Sequence, residues 1–442
     1  MTTYWAEFAI LPGGLARDVA FHIEGDVFDR IETGQPQGDS HRLPGVVLPG
    51  LANTHSHAFH RALRGRTHSE GGTFWTWRSR MYDAARRLDP DNYLALARAT
   101  YAEMALAGVT SVGEFHYVHH APDGTPYDNP NAMGEALQQA AREAGVRLTL
   151  LDTCYLAGGL TADGHQPLAT EQRRFGDGDV SRWAERVSRL WDDATSRVGT
   201  AIHSVRAVPR EQLRDFVQYT HFGQTWQTMH AHVSEQPAEN EACQAFYGMT
   251  PVQLLAEAGA VDGEFTAVHA THLTDADIAV LGGAHATAAF CPTTERDLAD
   301  GIGPARELLD AGARLSLGSD QHAVIDPFEE IRGLESHERL RSLHRGRIGQ
   351  GELLAAATAH DTIGWAEAGA LRVGAKADLV AVDLTSPRTA GVPAEFVHTA
   401  ATAADVTDVI RDGEVVVADR QHRLGDVGHL LNEAIDTLWE DR

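Results

Sequence analysis

The sequence predicts an α/β fold: a (β/α)8 TIM-like barrel with a small β-sandwich domain built from both chain termini. Three observations carry this expectation. Eight apolar, strand-length segments follow one another through the middle of the 442-residue chain, separated by helical patterns. Short β-patterns occur at both ends. Titratable residues gather just after the eight central segments, where a barrel of this kind carries its chemistry; chance would scatter them over helices as well.

The amino-terminal patterns are Tyr4–Leu11, Val19–Glu24 and Val27–Glu32; the carboxy-terminal ones are Ala377–Asp383, Val406–Gly413 and Glu414–Asp419. They predict a small β-domain over residues 1–45 plus 365–442, leaving 46–364 for the barrel. Barrel strands are expected at Gly45–Asn53, Ser111–Phe115, Arg147–Cys154, Thr200–Val205, Gln227–Val233, Phe265–Ala270, Thr287–Cys291 and Arg314–Gly318. Asn92–Gly108 has apolar residues at i, i+3 and i+4 and ends in glycine, as an amphipathic helix does. The alternative is an open doubly wound sheet. It is weakened by the lack of a Gly-x-Gly-x-x-Gly turn after the first strand.

Composition narrows the function. A net charge of −25 repels nucleic acid and anionic membrane surfaces. No apolar run reaches the ~18 residues of a membrane span, and the amino terminus lacks a signal-peptide pattern. Cys154, Cys243 and Cys291 are few, odd in number and widely spaced, which predicts free thiols in the cytoplasm. The expected partner is a small molecule.

The first barrel segment runs into His55-Ser-His57. Residues i and i+2 of a strand share a face, so both imidazoles can meet one ion. Later strand ends supply Glu114, His203 and Arg206, His230 and His232, His269 and His272, and Asp320 and His322. Three imidazoles and one carboxylate suit Zn²⁺ with a position open for water. His55, His57, His232 and Asp320 are the expected ligands, for one ion per subunit. Another divalent transition metal stays open, because supply and affinity both intervene. His230 lies deeper in its strand and reads as a buried, hydrogen-bonded histidine. On position alone Asp320 also fits a turn aspartate.

These strand-end residues resemble the amidohydrolase superfamily: His55-Ser-His57, His232, His269 and Asp320, with Gly369–Val380 as the return to the small domain. No lysine stands at the end of strand four, where binuclear members carry a carbamylated one, which favours a mononuclear, deaminase-like member. A narrower resemblance is to the formimidoylglutamate deiminase family. It rests on His55-Ser-His-Ala-Phe-His-Arg-Ala, Phe74-Trp-Thr-Trp-Arg-Ser-Arg-Met-Tyr, Glu114-Phe-His-Tyr-Val-His-His, His203-Ser-Val-Arg-Ala-Val and His232-Val-Ser-Glu-Gln. The chain departs from that family in His60, where glutamine is common, and in Ser319-Asp320-Gln321 for Ser-Asp-Ser.

The resemblance implies zinc-dependent hydrolysis of N-formimino-L-glutamate to N-formyl-L-glutamate and ammonia in histidine degradation. It implies His269 and Asp320 as proton acceptors and Glu235 as the group that holds the formimino nitrogen. It implies Arg206 for the α-carboxylate, Arg78, expected in an aromatic-rich loop, for the distal carboxylate, and His60, Tyr117 and His203 around the glutamate part. A homodimer is expected because dimers are the commonest soluble oligomers, and the resemblance leaves Arg78 reaching either its own site or its neighbour's. Blander readings stand beside these: Glu235 as a first-turn glutamate of a helix, His269 as a structural histidine, Arg78 as a surface arginine stacked on Trp75 or Trp77, and Tyr117 and His60 as packing residues. His119, His120, His272 and His322 carry no assignment. The competing activities are deamination of a nucleobase or related heterocycle, which needs no arginine pair, and a silent metal-binding scaffold.

Overall fold

The computed structural model describes residues 2–68, 74–223 and 228–440, and two eight-stranded sheets carry its architecture. The chain opens with β1 (Thr2–Leu11), β2 (Gly14–Glu24), β3 (Val27–Glu32) and β4 (His41–Pro49). The barrel follows as β5 (Leu51–Ser56), β6 (Val109–His116) and β7 (Arg147–Cys154). A small hairpin, β8 (Gly159–Thr161) and β9 (Gly164–Gln166), interrupts it. It resumes as β10 (Ser196–Ile202), β11 (Met229–Val233), β12 (Phe265–His269), β13 (Thr287–Phe290) and β14 (Arg314–Leu317). The last strands are β15 (Leu379–Val382), β16 (Val406–Arg411), β17 (Glu414–Ala418) and β18 (Gln421–His422).

In the barrel sheet, neighbouring strands are parallel throughout, in the order β14-β13-β12-β11-β10-β7-β6-β5. The seam between β14 and β5 is joined by a single parallel bridge, Ser56 to Asp320. Around it, the Ser319 and Asp320 amides donate to the His55 carbonyl at 3.2 and 3.0 Å, and the His57 amide donates to the Asp320 carbonyl at 3.1 Å. The terminal sheet runs β18-β17-β16-β15-β4-β1-β2-β3, so strands from both ends of the chain interleave. Among the described residues no helix is long and apolar enough to cross a membrane.

The apolar run Gly45–Asn53, expected as one barrel strand, is two. β4 pairs with β1 and β15 in the terminal sheet, and β5 begins the barrel after Gly50. At Gly50 a Cβ would lie 2.2 Å from Thr110 Oγ1 and 2.8 Å from Asp378 Cβ, so the crossing between sheets has room only for glycine. The other seven barrel strands fall on the expected segments within a few residues; Gln227, the expected start of the fifth, lies outside the described residues.

Arg147, buried on β7, fastens the two sheets together. Its guanidinium pairs with Asp378, just before β15, and reaches Asp412 at 2.6 Å. Truncating one partner of such a buried pair leaves the other charge uncompensated, at a cost of about 3–5 kcal/mol.

Several buried histidines away from the cleft carry their load as neutral rings. His360 bonds the Gly50 carbonyl at 2.8 Å, His119 bonds the Thr153 carbonyl at 2.9 Å, and His398 lies 2.8 Å from Gln350 Oε1. Burial pushes each of the three down to about 4. The unfolded chain therefore takes up protons first. Their contribution is complete above the ordinary histidine range near ~6.5 and is lost as pH falls towards 4, by up to about 3 kcal/mol each. Three such groups rival the ~5–15 kcal/mol stability of a typical domain. Thermal melts at pH 7, 5.5 and 4.5 should show a steep decline over this interval; a flat melting temperature would contradict it.

Candidate metal centre and active site

At the carboxy-terminal mouth of the barrel, four side chains converge on one point. His55 Nε2 lies 3.2 Å from His232 Nε2, and Asp320 Oδ1 lies 3.3 Å from both His55 Nε2 and His57 Nε2. Carbonyls fix two of the tautomers: His57 Nδ1 donates to Phe115 O at 2.9 Å, and His232 Nδ1 donates to His203 O at 2.9 Å. The Nε2 lone pairs of both rings are thereby turned inward. Burial pushes His55 down to about 3, so it enters as a neutral ring. Burial alone would raise the Asp320 carboxyl, but His55, His57 and His269 outweigh it and keep the group ionised. Three imidazole nitrogens and a carboxylate oxygen crowded together in a buried site call for a cation. The donor set, three imidazole nitrogens and one carboxylate, fits a divalent metal of the zinc class.

The backbone at this mouth is unusual. Ser234 (φ 53°), His269 (φ 68°), Ala270 (φ 48°), Asp320 (φ 42°) and His322 (φ 57°) all adopt the left-handed region without being glycine. Such conformations cost about 1–3 kcal/mol each and persist only where surrounding contacts enforce them. They fall just after β11, at the end of β12 and after β14, three of the strand ends that carry site residues.

His269 sits among carboxylates. Its Nε2 is 3.9 Å from Glu235 Oε1 and 4.0 Å from Asp320 Oδ2, and its Nδ1 is 3.6 Å from Glu295 Oε1. Burial works against its charge, but Glu235, Glu295 and Asp320 prevail and raise it to about 10. Arg206 Nη2 lies 3.8 Å from Glu235 Oε2, and its Nε lies 3.9 Å from Glu239 Oε2. Burial raises the Glu239 carboxyl to about 7. His60 Nε2 is 3.1 Å from the Tyr117 hydroxyl, and burial holds His60 well below the ordinary histidine range, so it enters as a neutral partner. His203 packs edge-on against Tyr155 with 4.4 Å between ring centres.

Apart from Glu239 and Glu295, these groups line one cleft of about 570 Å³, open to solvent. Of the expected site residues, His57, His60, Arg78, Tyr117, His203, Arg206, His232, Glu235, His269 and Asp320 all face it, and His55 lies buried behind them. Arg78 lines the cleft of its own chain. The aromatic segment that carries it, expected as a loop, is the start of a helix, Phe74–Arg87. Its guanidinium lies over the Tyr82 ring at 5.3 Å. The side chain of Trp75, a stacking partner considered from the sequence, lies outside the described residues.

The unassigned histidines have local partners. His120 Nε2 is 3.1 Å from Asp177, and His272 Nε2 bonds the Asp300 carbonyl at 2.7 Å. His322 lies between Ser319 (2.9 Å) and Ser56 (3.2 Å). His230 bonds the Thr362 carbonyl at 2.9 Å. His116, His119 and Asp152 also come together, but Asp152 is taken by Arg186 through two bonds of 2.8 Å and by Trp183 at 3.0 Å. In that cluster the carboxylate is committed to a buried ion pair with Arg186.

Sequence reasoning missed Glu239, Glu295, Tyr82 and Tyr155. Glu239 stands four residues after Glu235, and Glu295 follows β13, so strand-end counting reached their neighbourhood without weighing them. Tyr82 is one turn beyond Arg78, visible only once that segment is taken as helical.

Comparison with known proteins agrees with this architecture. Residues 46–416 match the amidohydrolase family. The chain is 38% identical over 441 residues to formimidoylglutamate deiminase of Pseudomonas aeruginosa, covering 96% of each protein. It is 28% identical over 399 residues to 5-methylthioadenosine/S-adenosylhomocysteine deaminase of Natronomonas pharaonis, covering 88% of this chain and 85% of that one. An amidohydrolase from Brucella melitensis superposes with a TM-score of 0.90 at 33% identity, over 100% of both chains. A zinc-bound adenosine deaminase from Xanthomonas campestris shares the fold, with a TM-score of 0.84 at 21% identity over 99% of this chain and 97% of its own. With its barrel, its strand-end histidines and nearly full-length likeness to such relatives, the chain belongs to the amidohydrolase family.

Proposed function

We propose that the protein hydrolyses N-formimino-L-glutamate to N-formyl-L-glutamate and ammonia, as a step of histidine degradation, with one divalent ion, zinc, per subunit. The observation that carries this reading is the pair of arginines, Arg206 and Arg78, on a cleft that also holds Glu235 and His269. In a chain of charge −25 nothing global attracts a dicarboxylate, so local cations must hold it. Likeness to a formimidoylglutamate deiminase supports the same substrate.

His55, His57, His232 and Asp320 would hold the ion, which when bound lowers the pKa of water and polarises the carbon–nitrogen bond. Asp320, with His269 beside it, would take the proton that water loses as it adds to the formimino carbon; the dication's charge opposes the carboxylates that hold His269 protonated, so that its ring can accept. Glu235 faces the nitrogen side. It would hold the cationic amidine and, through His269 at 3.9 Å, pass the proton taken from water to the nitrogen as the carbon–nitrogen bond breaks and ammonia leaves. Arg206 orients the α-carboxylate, Arg78 the distal one, and His60, Tyr117 and His203 close around the chain between them.

Ammonia release on formiminoglutamate beside adenosine, guanine and cytosine tests the substrate. Preference for a nucleobase would replace the reading with heterocycle deamination. Arg206→Ala and Arg78→Ala should each lower kcat/KM about 30-fold or more with metal retained, the scale of truncating a desolvated charge pair. Full activity of both variants would remove the dicarboxylate. The protein is proposed to act as a homodimer in the cytoplasm, where Cys154, Cys243 and Cys291, each buried and unbonded, suit a reducing compartment. Because Arg78 lines its own chain's cleft, mixing Arg78→Ala chains with Glu235→Gln chains should restore no activity. Recovery on mixing would assign the anchor to the neighbouring subunit.

A further inference from the structure

Tyr82 lines the same cleft one helical turn beyond Arg78. Its oxygen accepts two hydrogen bonds, from Arg78 Nε at 2.7 Å and from Gln172 Nε2 at 3.1 Å. The direction of the second bond is fixed by backbone. Gln172 Oε1 accepts from the Ala169 amide at 2.9 Å, so its nitrogen must face the tyrosines. That nitrogen also reaches the Tyr155 hydroxyl at 2.8 Å and the Gly158 carbonyl at 3.0 Å, so its two protons are shared among three oxygens. Gln172 is buried, on the 3₁₀ turn Thr170–Phe175, and so ties the helix of Arg78 to the loop after β7. With two donors on its oxygen, the Tyr82 hydroxyl has its own proton left to give. Among the described residues no group accepts it. Burial, with Tyr155 nearby, holds the phenol above its ordinary range, so the proton is present at neutral pH.

We infer that Tyr82 is a substrate-contacting residue: its hydroxyl donates to the carboxylate held by Arg78, so that phenol and guanidinium form one anion subsite, with Gln172 as the positioning residue beneath them. This rests on the dicarboxylate reading above. It makes selectivity for the distal carboxylate the property of a three-residue unit instead of a lone arginine. A hydrogen bond to a charged group is among the stronger ones, and its loss is felt only when the charge is present.

The test compares N-formimino-L-glutamate with the N-formimino derivative of 2-aminobutyrate, which lacks only the distal carboxylate. Tyr82→Phe keeps the ring beneath Arg78 and removes the proton donor. The ratio of kcat/KM between the two substrates should fall about tenfold or more in Tyr82→Phe, through KM for the dicarboxylate, and Gln172→Ala should move it the same way. An unchanged ratio would overturn the assignment: with equal losses on both substrates Tyr82 is a packing residue, and with no loss on either it does not touch the substrate. Arg78→Ala separates the two levels. If its ratio also stays unchanged, the dicarboxylate reading falls. If its ratio drops while that of Tyr82→Phe does not, only the tyrosine is removed from the subsite.

Discussion

Asp320→Asn should lose its metal and its turnover together. Asp320 supplies the one carboxylate oxygen that lies 3.3 Å from both His55 and His57. Without its charge, three neutral imidazoles remain to balance a dication in a buried site, and affinity must collapse. Asparagine is the informative replacement. Position 320 has φ 42°, which asparagine tolerates and alanine does not, so the variant isolates charge from backbone strain. Activity should fall by more than the ~10²–10⁴ expected of a proton-transfer group, since the same residue serves both tasks. Elemental analysis of purified protein checks the first half and ammonia release the second. Native-like metal content in the variant would move Asp320 out of the ligand set. Chelation of the unaltered protein should lower its melting temperature as well. An ion held a thousandfold above its dissociation constant contributes about 4 kcal/mol to the folded state.

Glu235→Gln is the complementary case: metal kept, chemistry lost. The carboxylate stands 3.9 Å from His269 on one side and 3.8 Å from Arg206 on the other, with none of the four expected ligands as its partner. Glutamine preserves its shape and its reach but cannot carry a proton to departing ammonia. A fall of at least about 10² in kcat, with kcat/KM falling in parallel, would mark an interaction made in the transition state. A rise in KM alone would make Glu235 a binding residue, and near-native turnover would remove it from the mechanism.

Much of this was legible in the chain. Barrel strands buried on both faces read as unbroken apolar runs, and their ends are marked by polar residues, so seven of the eight fell on the expected segments. The eighth failed for the same reason. β4 and β5 are both apolar, and a single glycine divides them, so hydrophobicity alone could not show that the run serves two sheets. The helix of Arg78 was hidden because Phe74, Trp75 and Trp77 break the expected amphipathic spacing. Glu295 escaped because a buried carboxylate looks, in sequence, like any glutamate in a first helical turn. The left-handed conformations at His269 and Asp320 are imposed by tertiary contacts and leave no local signature.

The seam between β14 and β5 also sets an order of events. The bridge from Ser56 to Asp320 joins the first barrel strand to the last. The ligand set is therefore the end product of assembly: His55 and His57 wait on a chain segment made some 260 residues later, as their separation from Asp320 dictates. Contacts of such sequence separation form late, after the loop-closure entropy of everything between has been met. On the proposed ligand set, a barrel that lacks β14 would offer an ion three imidazoles and no carboxylate. Uptake of metal would then report completion of the fold.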